Sequence, residues 1–233
     1  PFFDALSKTK NAQIMDDVTS NNFVLSLHVQ HFPFVKFEAK HMRRASRFIV
    51  NSQASRRDLL ERYLDVVSDK QIDYIPVSSS LKKSEIASSP KEFGLYFHGR
   101  YHPQKGLHFL LQQDWHDLPL TIRGFEESYL NPENREWLKN KGIEALPWTF
   151  DSSLIHQELL SHEIILFPSI YEPWGLSLQE SLALGKLCVA HRCQSGHEEQ
   201  IIHGENGFLL DFSSADLKDR IQEIVELDLN IKN

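Results

Sequence analysis

The chain has 233 residues, 41% hydrophobic and 24% charged, a globular composition that allows one large domain or two small ones. The formal net charge of -7 excludes a general polyanion binder, although basic residues cluster locally in "KHMRRASR". No apolar run approaches the roughly 18 residues of a membrane span. Cys188 and Cys193 offer neither a disulfide framework nor a zinc pattern, and they favour a reducing, cytoplasmic setting.

In chain order, "NNFVLSLHVQ" reads as a buried strand ending near His28, and "FVKFEAKHMRRAS" as a basic helix. "RFIVNS" is a second strand. In "SQASRRDLLERYL" Ser52 is placed to cap a helix whose apolar face is Leu59, Leu60 and Tyr63. "QIDYIPV" is a third strand. The Ser- and Lys-rich "SSSLKKSEIASSPKEF" then reads as a linker. Alternation resumes with "GLYFHG" as strand, "KGLHFLLQQ" as helix, "PLTIRG" as strand, and "NPENREWLKNKG" as a helix stopped by Gly142. "SSLIHQELLS" is a helix, "EIILFPS" a buried strand, "LSLQESLALG" a helix ended by Gly185, and "KLCVAH" a strand. "HEEQIIHG" is a short helix, "NGFLLD" a turn and strand, and "ADLKDRIQEIVEL" a closing amphipathic helix. Strands alternating with helices predict an α/β fold with a parallel sheet. The expected organisation is a partial amino-terminal Rossmann-like domain over 1–77, a linker over 78–90, and a Rossmann-like domain over 91–233.

Ligands of open α/β sheets sit beyond the carboxyl ends of the strands. After "LYFH" come Gly99, Arg100, Lys105 and Gly106, and after "TIR" comes Gly124. After "ILFPS" come Glu172, Pro173, Trp174 and Gly175. After "CVAH" come Ser195, Gly196 and Glu199. Arg100 and Lys105 suit a diphosphate, and Gly99 lets backbone come close. Pro173 and Gly175 precede the helix that carries Glu180, so its first N–H groups form an anion site. With Glu172 before that helix and Glu180 one to two turns into it, the carboxylates fall on the order of 10 Å apart. That spacing suits the two ends of one extended ligand, with a ribose on one acid and a sugar on the other. A glycoside hydrolase pair would flank a single bond, and the two cations argue against it. His98, His191 and His197 read as structural or surface histidines and not as metal ligands.

The segments "GRYHPQKG", "PSIYEPWGLSLQE", "QSGHEEQII" and "HGENGFLL" resemble the retaining, nucleotide-sugar-dependent glycosyltransferases of GT-B fold, the group 1 or family 4-like glycosyl transferases. The hallmark of that family, Glu, seven residues, Glu, is met by Glu172 and Glu180. "RFIVNSQASRRDLLERY" is similar to the end of the family's first domain. The resemblance implies transfer of a sugar from a nucleotide-diphospho-sugar to an acceptor hydroxyl with retention. Arg100 and Lys105 would bind the diphosphate and stabilise the leaving group, Glu172 would contact the donor sugar, and Glu180 would hold the ribose. Trp174, Gly175 and Leu176 would offer backbone N–H groups, Gly99, Ser195, Gly196 and Glu199 would complete the substrate site, and His28 would face the reacting carbon. No cofactor and no tightly bound metal are implied, since two cations replace one.

The implied partners are the nucleotide-sugar donor and a sugar or lipid-linked acceptor, with no nucleic acid. The implied setting is polysaccharide or glycolipid biosynthesis in the cytoplasm or at the inner membrane surface, with room for peripheral membrane association and a homo-oligomer. The chain departs from the family in three places. An Asn-Gly pair is replaced in "IPVSSS", and the Gly-x-Pro-Glu loop is Gly196-His197-Glu198-Glu199. The early strands of the first domain are also not recognised, so truncation there is expected. The alternative is a nucleotide-sugar-binding module, or an inactive fragment that needs a partner chain.

Overall fold

The computed structural model describes residues 23–26, 43, 45–65, 67–68, 71–78 and 94–232. The chain divides into two compact units, Pro1–Val77 and Ser78–Asn233. His28, the basic helix "FVKFEAKHMRRAS" except for Arg43, Ala45 and Ser46, and the expected linker beyond Ser78 lie outside the described residues, and Ala45 and Ser46 belong to a strand instead.

In the first unit, strands β1 (Phe23–Ser26), β2 (Ala45–Val50) and β3 (Ile72–Tyr74) form a parallel sheet in the order β1-β2-β3. Phe48 and Val50 of β2 are buried. Helix α1 (Gln53–Arg62) follows β2 and starts as expected, with the Ser52 hydroxyl accepting from the Ser55 N–H at 2.8 Å. Ala54, Leu59 and Tyr63 are buried, while Leu60 is only half-buried.

The second unit holds β4 (Leu95–His98), α2 (Leu107–Leu111), β5 (Leu120–Phe125), α3 (Pro132–Lys139), β6 (Ile143–Pro147), α4 (Ser152–Ser161), β7 (Ile164–Phe167), α5 (Leu176–Ala183), β8 (Leu187–His191), β9 (Phe208–Leu210) and α6 (Leu217–Lys232). The strands lie parallel in the order β6-β5-β4-β7-β8-β9. Counted from β4, this is the doubly wound order 3-2-1-4-5-6. Its direction of winding reverses between β4 and β7, the point at which sheets of this kind form a ligand crevice at their carboxyl ends.

Side chains alternate across a strand, so each inner strand feeds two apolar layers. Leu95, Phe97, Ile122, Leu166 and Val189 pack on one face with α2, α3 and α6. Tyr96, Ile165, Phe167, Cys188 and Ala190 pack on the other with Leu159 of α4 and Leu178 of α5. Leu217, Ile221, Ile224 and Val225 recur at the helical period and give α6 its buried stripe. The α/β parallel fold expected from the sequence is therefore the fold observed.

Strand β6 was not expected. It is an edge strand, paired only with β5, and Ile143 is its one fully buried residue. Pro147 is tolerated at its end because an edge needs no outer hydrogen bond. The Arg135 guanidinium reaches the Ala145 carbonyl at 3.4 Å and covers part of that edge. The expected helix "HEEQIIHG" is a short 3-10 turn, Gly196–Glu199.

A polar network crosses this core. The Arg123 guanidinium of β5 donates twice to the Glu158 carboxylate of α4 and, at 2.7 Å, to the Pro147 carbonyl. The Tyr96 hydroxyl of β4 donates to the same carboxylate at 2.6 Å. Burial alone would raise the pKa of Glu158, but the hydrogen bonds from Arg123 and Tyr96 outweigh it and hold the carboxyl below its ordinary range. The Arg123 and Glu158 side chains are 9% and 15% exposed, so deleting one partner strands a buried charge. Glu158→Ala is expected to lower the unfolding free energy by about 3 to 5 kcal/mol, and Glu158→Gln by less, because the amide still accepts from Tyr96. Urea unfolding of the three proteins measures this, and superimposable curves would show that the pair does not support the fold.

Candidate functional site

At this winding reversal three loops, which follow β4, β7 and β8, are bonded to one another. The loop after β4 begins at Gly99, whose N–H donates to the Arg123 carbonyl at 3.0 Å. Gly124 faces it so closely that a Cβ there would overlap the Gly99 carbonyl. Arg100 is exposed and makes no hydrogen bond or ion pair among the described residues. A 3-10 turn, Pro103–Lys105, starts under the His102 side chain and ends at Gly106, whose φ is +67°. A Cβ on Gly106 would overlap the carbonyl of Pro168, the first residue after β7.

That approach joins the first loop to the second. The Ile170 N–H donates to the Gln104 carbonyl at 2.9 Å, and Gln104 Nε2 donates to the Tyr171 carbonyl at 2.9 Å. Lys105 is thereby set beside Glu172, and its ammonium pairs directly with the Glu172 carboxylate. The third loop holds the other flank. The Gly196 N–H donates to the Glu172 carbonyl at 2.8 Å, and Gln200 Nε2 donates to the Trp174 carbonyl. Gly196 has no space for a Cβ against Pro173. Backbone hydrogen bonds thus fix the Glu172 loop from both sides.

Helix α5 starts at Gly175, which has φ +91° and supplies no side-chain cap. The first N–H groups of the helix are therefore not taken up by a capping side chain. Trp174 is buried, and its indole Nε1 has no hydrogen-bond partner among the described residues. Leu176 is about half-exposed. Glu180 is the fifth residue of α5 and half-buried, and it forms no salt bridge among the described residues. Burial raises its pKa, with His156 of α4 opposing the shift. The two acids therefore differ in kind: Glu172 is paired inside the protein and Glu180 is not.

Of the third-loop residues, Ser195 is buried, and its hydroxyl oxygen lies 3.1 Å from the Cys193 thiol that donates to it. Gly196 is pressed under Pro173, whereas Glu199 is exposed. The neighbouring Glu198 accepts from the Gln194 N–H. Gln104, Gln200 and His156 were not singled out from the sequence. Their partners lie on other loops and helices, and no local pattern marks them. Among the described residues no group of three or more His, Cys, Asp or Glu could hold a metal ion.

Two histidines underlie the site. His197 is buried against Gly175 and His98 ends β4, and His197 Nδ1 and His98 Nε2 have no hydrogen-bond partner among the described residues. Burial and then Lys105 lower His98 to about 4, and the same two causes lower His197 to about 3. Both rings are neutral at pH 7 and add no charge beside Lys105. Their folded pKa values lie below the unfolded value of about 6.5. The unfolded chain therefore binds protons first as pH falls, and stability is lost from about 6.5 downward. Melting temperature is expected to fall between pH 6.5 and 5, with at most about 1.4 kcal/mol lost per pH unit for each ring. His197→Gln should flatten that slope, and an unchanged slope would show that the ring titrates normally.

The chain is similar to known proteins in sequence and in fold. The family model for "Glycosyl transferases group 1" matches residues 79–232. The uncharacterized glycosyltransferase YqgM of Bacillus subtilis strain 168 is 32% identical over 173 residues, which are 69% of this chain and 48% of that protein. The crystal structure of Anabaena Alr3699/HepE in complex with UDP-glucose superimposes with a TM-score of 0.66 at 22% identity, covering 89% of this chain and 63% of that one. The pneumococcal O-GlcNAc transferase GtfA, in complex with UDP and GlcNAc, gives a TM-score of 0.62 at 21% identity, covering 86% of this chain and 43% of that one. This chain spans about half the length of the relatives it matches. The structural neighbours are GT-B glycosyltransferases, and the chain belongs to the glycosyl transferases group 1 family.

Proposed function

We propose that this chain carries the donor half of a retaining glycosyltransferase, moving a sugar from a nucleotide-diphospho-sugar to an acceptor hydroxyl. The observation that carries this is the placement of Lys105, Glu172 and the uncapped start of α5 at the winding reversal between β4 and β7. Arg100, Lys105 and the helix start take the diphosphate, with backbone N–H groups of Trp174, Gly175 and Leu176 contributing. Glu172 takes hydroxyls of the donor sugar and Glu180 those of the ribose. Gly99, Ser195, Gly196 and Glu199 line the remainder. As the glycosidic bond to phosphate breaks, the anomeric carbon gains oxocarbenium character, and the cations and helix start stabilise the departing negative charge. The acceptor is a sugar or a lipid-linked molecule, the family resemblance assigns His28 to the reacting carbon, and the proposed domain bounds are 1–77 and 91–233 with a linker at 78–90.

Retention of configuration rests on the family resemblance, as does the absence of a cofactor. The HepE and GtfA complexes, with UDP-glucose and with UDP and GlcNAc, support a nucleotide sugar as donor. No described helix is long and apolar enough to cross a membrane. A cytoplasmic site of action, free or on the inner membrane surface, belongs to the same proposal. The second reading is a nucleotide-sugar-binding module, or an inactive fragment, that turns over only with a partner chain. A transfer assay on the isolated chain separates the two.

Glu180→Ala is expected to weaken binding of nucleoside diphosphates by about 1.5 to 3 kcal/mol, the loss of charged hydrogen bonds to ribose. Glu172→Ala should not produce that loss. Calorimetric titration measures both, and equal affinity in Glu180→Ala and the parent would refute the ribose assignment.

Arg100→Ala and Lys105→Ala are each expected to weaken nucleoside diphosphate binding while leaving nucleoside binding nearly unchanged. Added salt should reduce the parent's affinity for the diphosphate through screening. A parent that binds nucleoside and nucleoside diphosphate equally well would remove the diphosphate site.

A further inference from the structure

We infer that the Lys105–Glu172 ion pair makes this site discriminate between a nucleotide sugar and the nucleoside diphosphate left after transfer. The inference rests on the donor-site reading above and adds to it a specificity device and a cause for product release.

The starting observation is that the cation and the acid are already committed to each other. Lys105 and Glu172 are in direct contact, and their side chains are only 25% and 12% exposed. Their backbones cannot separate easily. The loop of Glu172 is bonded to Gln104 on one flank and to Gly196 and Gln200 on the other. Gly106, next to Lys105, is packed against the Pro168 carbonyl. A ligand can therefore rearrange the pair only through side-chain rotation.

Among the described residues no second cation pairs with Glu172. The two histidines that sense Lys105, half-buried His98 and buried His197, are neutral at pH 7, and the guanidinium of Arg100 is exposed and makes no ion pair among the described residues. An anion that draws the Lys105 ammonium leaves the Glu172 carboxylate mostly buried and uncompensated. That is the costly half of a broken buried pair. If Lys105 bridges both groups instead, phosphate and carboxylate face each other as like charges. Either arrangement opposes a bare diphosphate.

A nucleotide sugar changes the balance. Its hydroxyl groups are donors, and a carboxylate accepts up to four hydrogen bonds. The sugar thus satisfies Glu172 while its diphosphate takes Lys105, and each partner of the original pair is replaced. When the sugar leaves, Glu172 loses its donors and competes again for Lys105, which expels the diphosphate. The acid that recognises the sugar is in this way also the group that rejects the product.

Calorimetric titration of the full chain tests this with UDP and UDP-glucose as probes, the GDP and ADP pairs being run in parallel and the best-bound base used. Removing the charge by Glu172→Gln is expected to tighten nucleoside diphosphate binding about tenfold, the scale of one partly screened charge interaction. The same change should reduce the preference for the nucleotide sugar. Glu172→Asp, which keeps the charge, should keep the preference. Lys105→Ala should weaken both ligands. A Glu172→Gln variant that melts like the parent and binds the diphosphate no more tightly would overturn the inference while leaving the donor site standing. A parent that binds none of the diphosphates or nucleotide sugars would overturn the donor-site reading itself, and the inference with it.

Discussion

The contact between Gly106 and the Pro168 carbonyl is the constraint on which the rest of the site depends. Strands β4 and β7 are neighbours in the sheet but 67 positions separate Lys105 from Glu172 in the chain. The sheet brings the two strand ends together, yet a side chain at 106 would hold the loops apart. The left-handed backbone of Gly106 also turns the chain into α2 immediately after Lys105, so the ammonium stays at the strand end. Once the loops touch, Gln104 supplies two hydrogen bonds to the Glu172 loop, and the cation and acid meet as a consequence.

Charge in this unit is handled in two ways. The Arg123–Glu158 pair lies inside the core, with Tyr96 and the Pro147 carbonyl completing its hydrogen bonds. Such a pair holds elements in register and has nothing left to offer a ligand. The Lys105–Glu172 pair stands at the mouth of the crevice, partly open to solvent, above two neutral imidazoles. Neutral rings are the arrangement that leaves the pair's own charge balance undisturbed. A protonated His197 would add a cation directly under Gly175 and weaken the need of Glu172 for Lys105.

What the sequence made legible follows from whether the signal is local. Strands β4 and β7 are continuous apolar runs because both of their faces are buried, and they were read correctly. Strand β6 escaped because an edge strand with one buried residue and a proline carries no such run. The Ser52 cap and the α5 start were legible from residues within a turn of each helix. The Gln104 and Gln200 clamps were not, since each acts on a carbonyl 67 or 26 positions away. His197 read as structural or surface from its residue type, and only the fold shows that it is buried under Gly175. The expectation for His28 falls outside the described residues.

The spacing of the two acids now has a physical reason. Glu172 belongs to a loop fixed on both flanks, so its position is set by the sheet. Glu180 belongs to α5, and its height is set by the helix: four residues beyond Leu176, it lies about 6 Å along the axis. The uncapped start of α5 falls between them in sequence. Under the proposed function, a ligand held by both carboxylates must cross that start, and the part that crosses is best an anion. A shorter spacing would move Glu180 into the first turn, where its negative charge would occupy the helix start and compete with a diphosphate. A longer one would carry it past the second turn and out of reach of the same ligand. Seven intervening residues therefore place one acid on each side of the helix start, which under the proposed function is the order of a sugar, a diphosphate and a ribose.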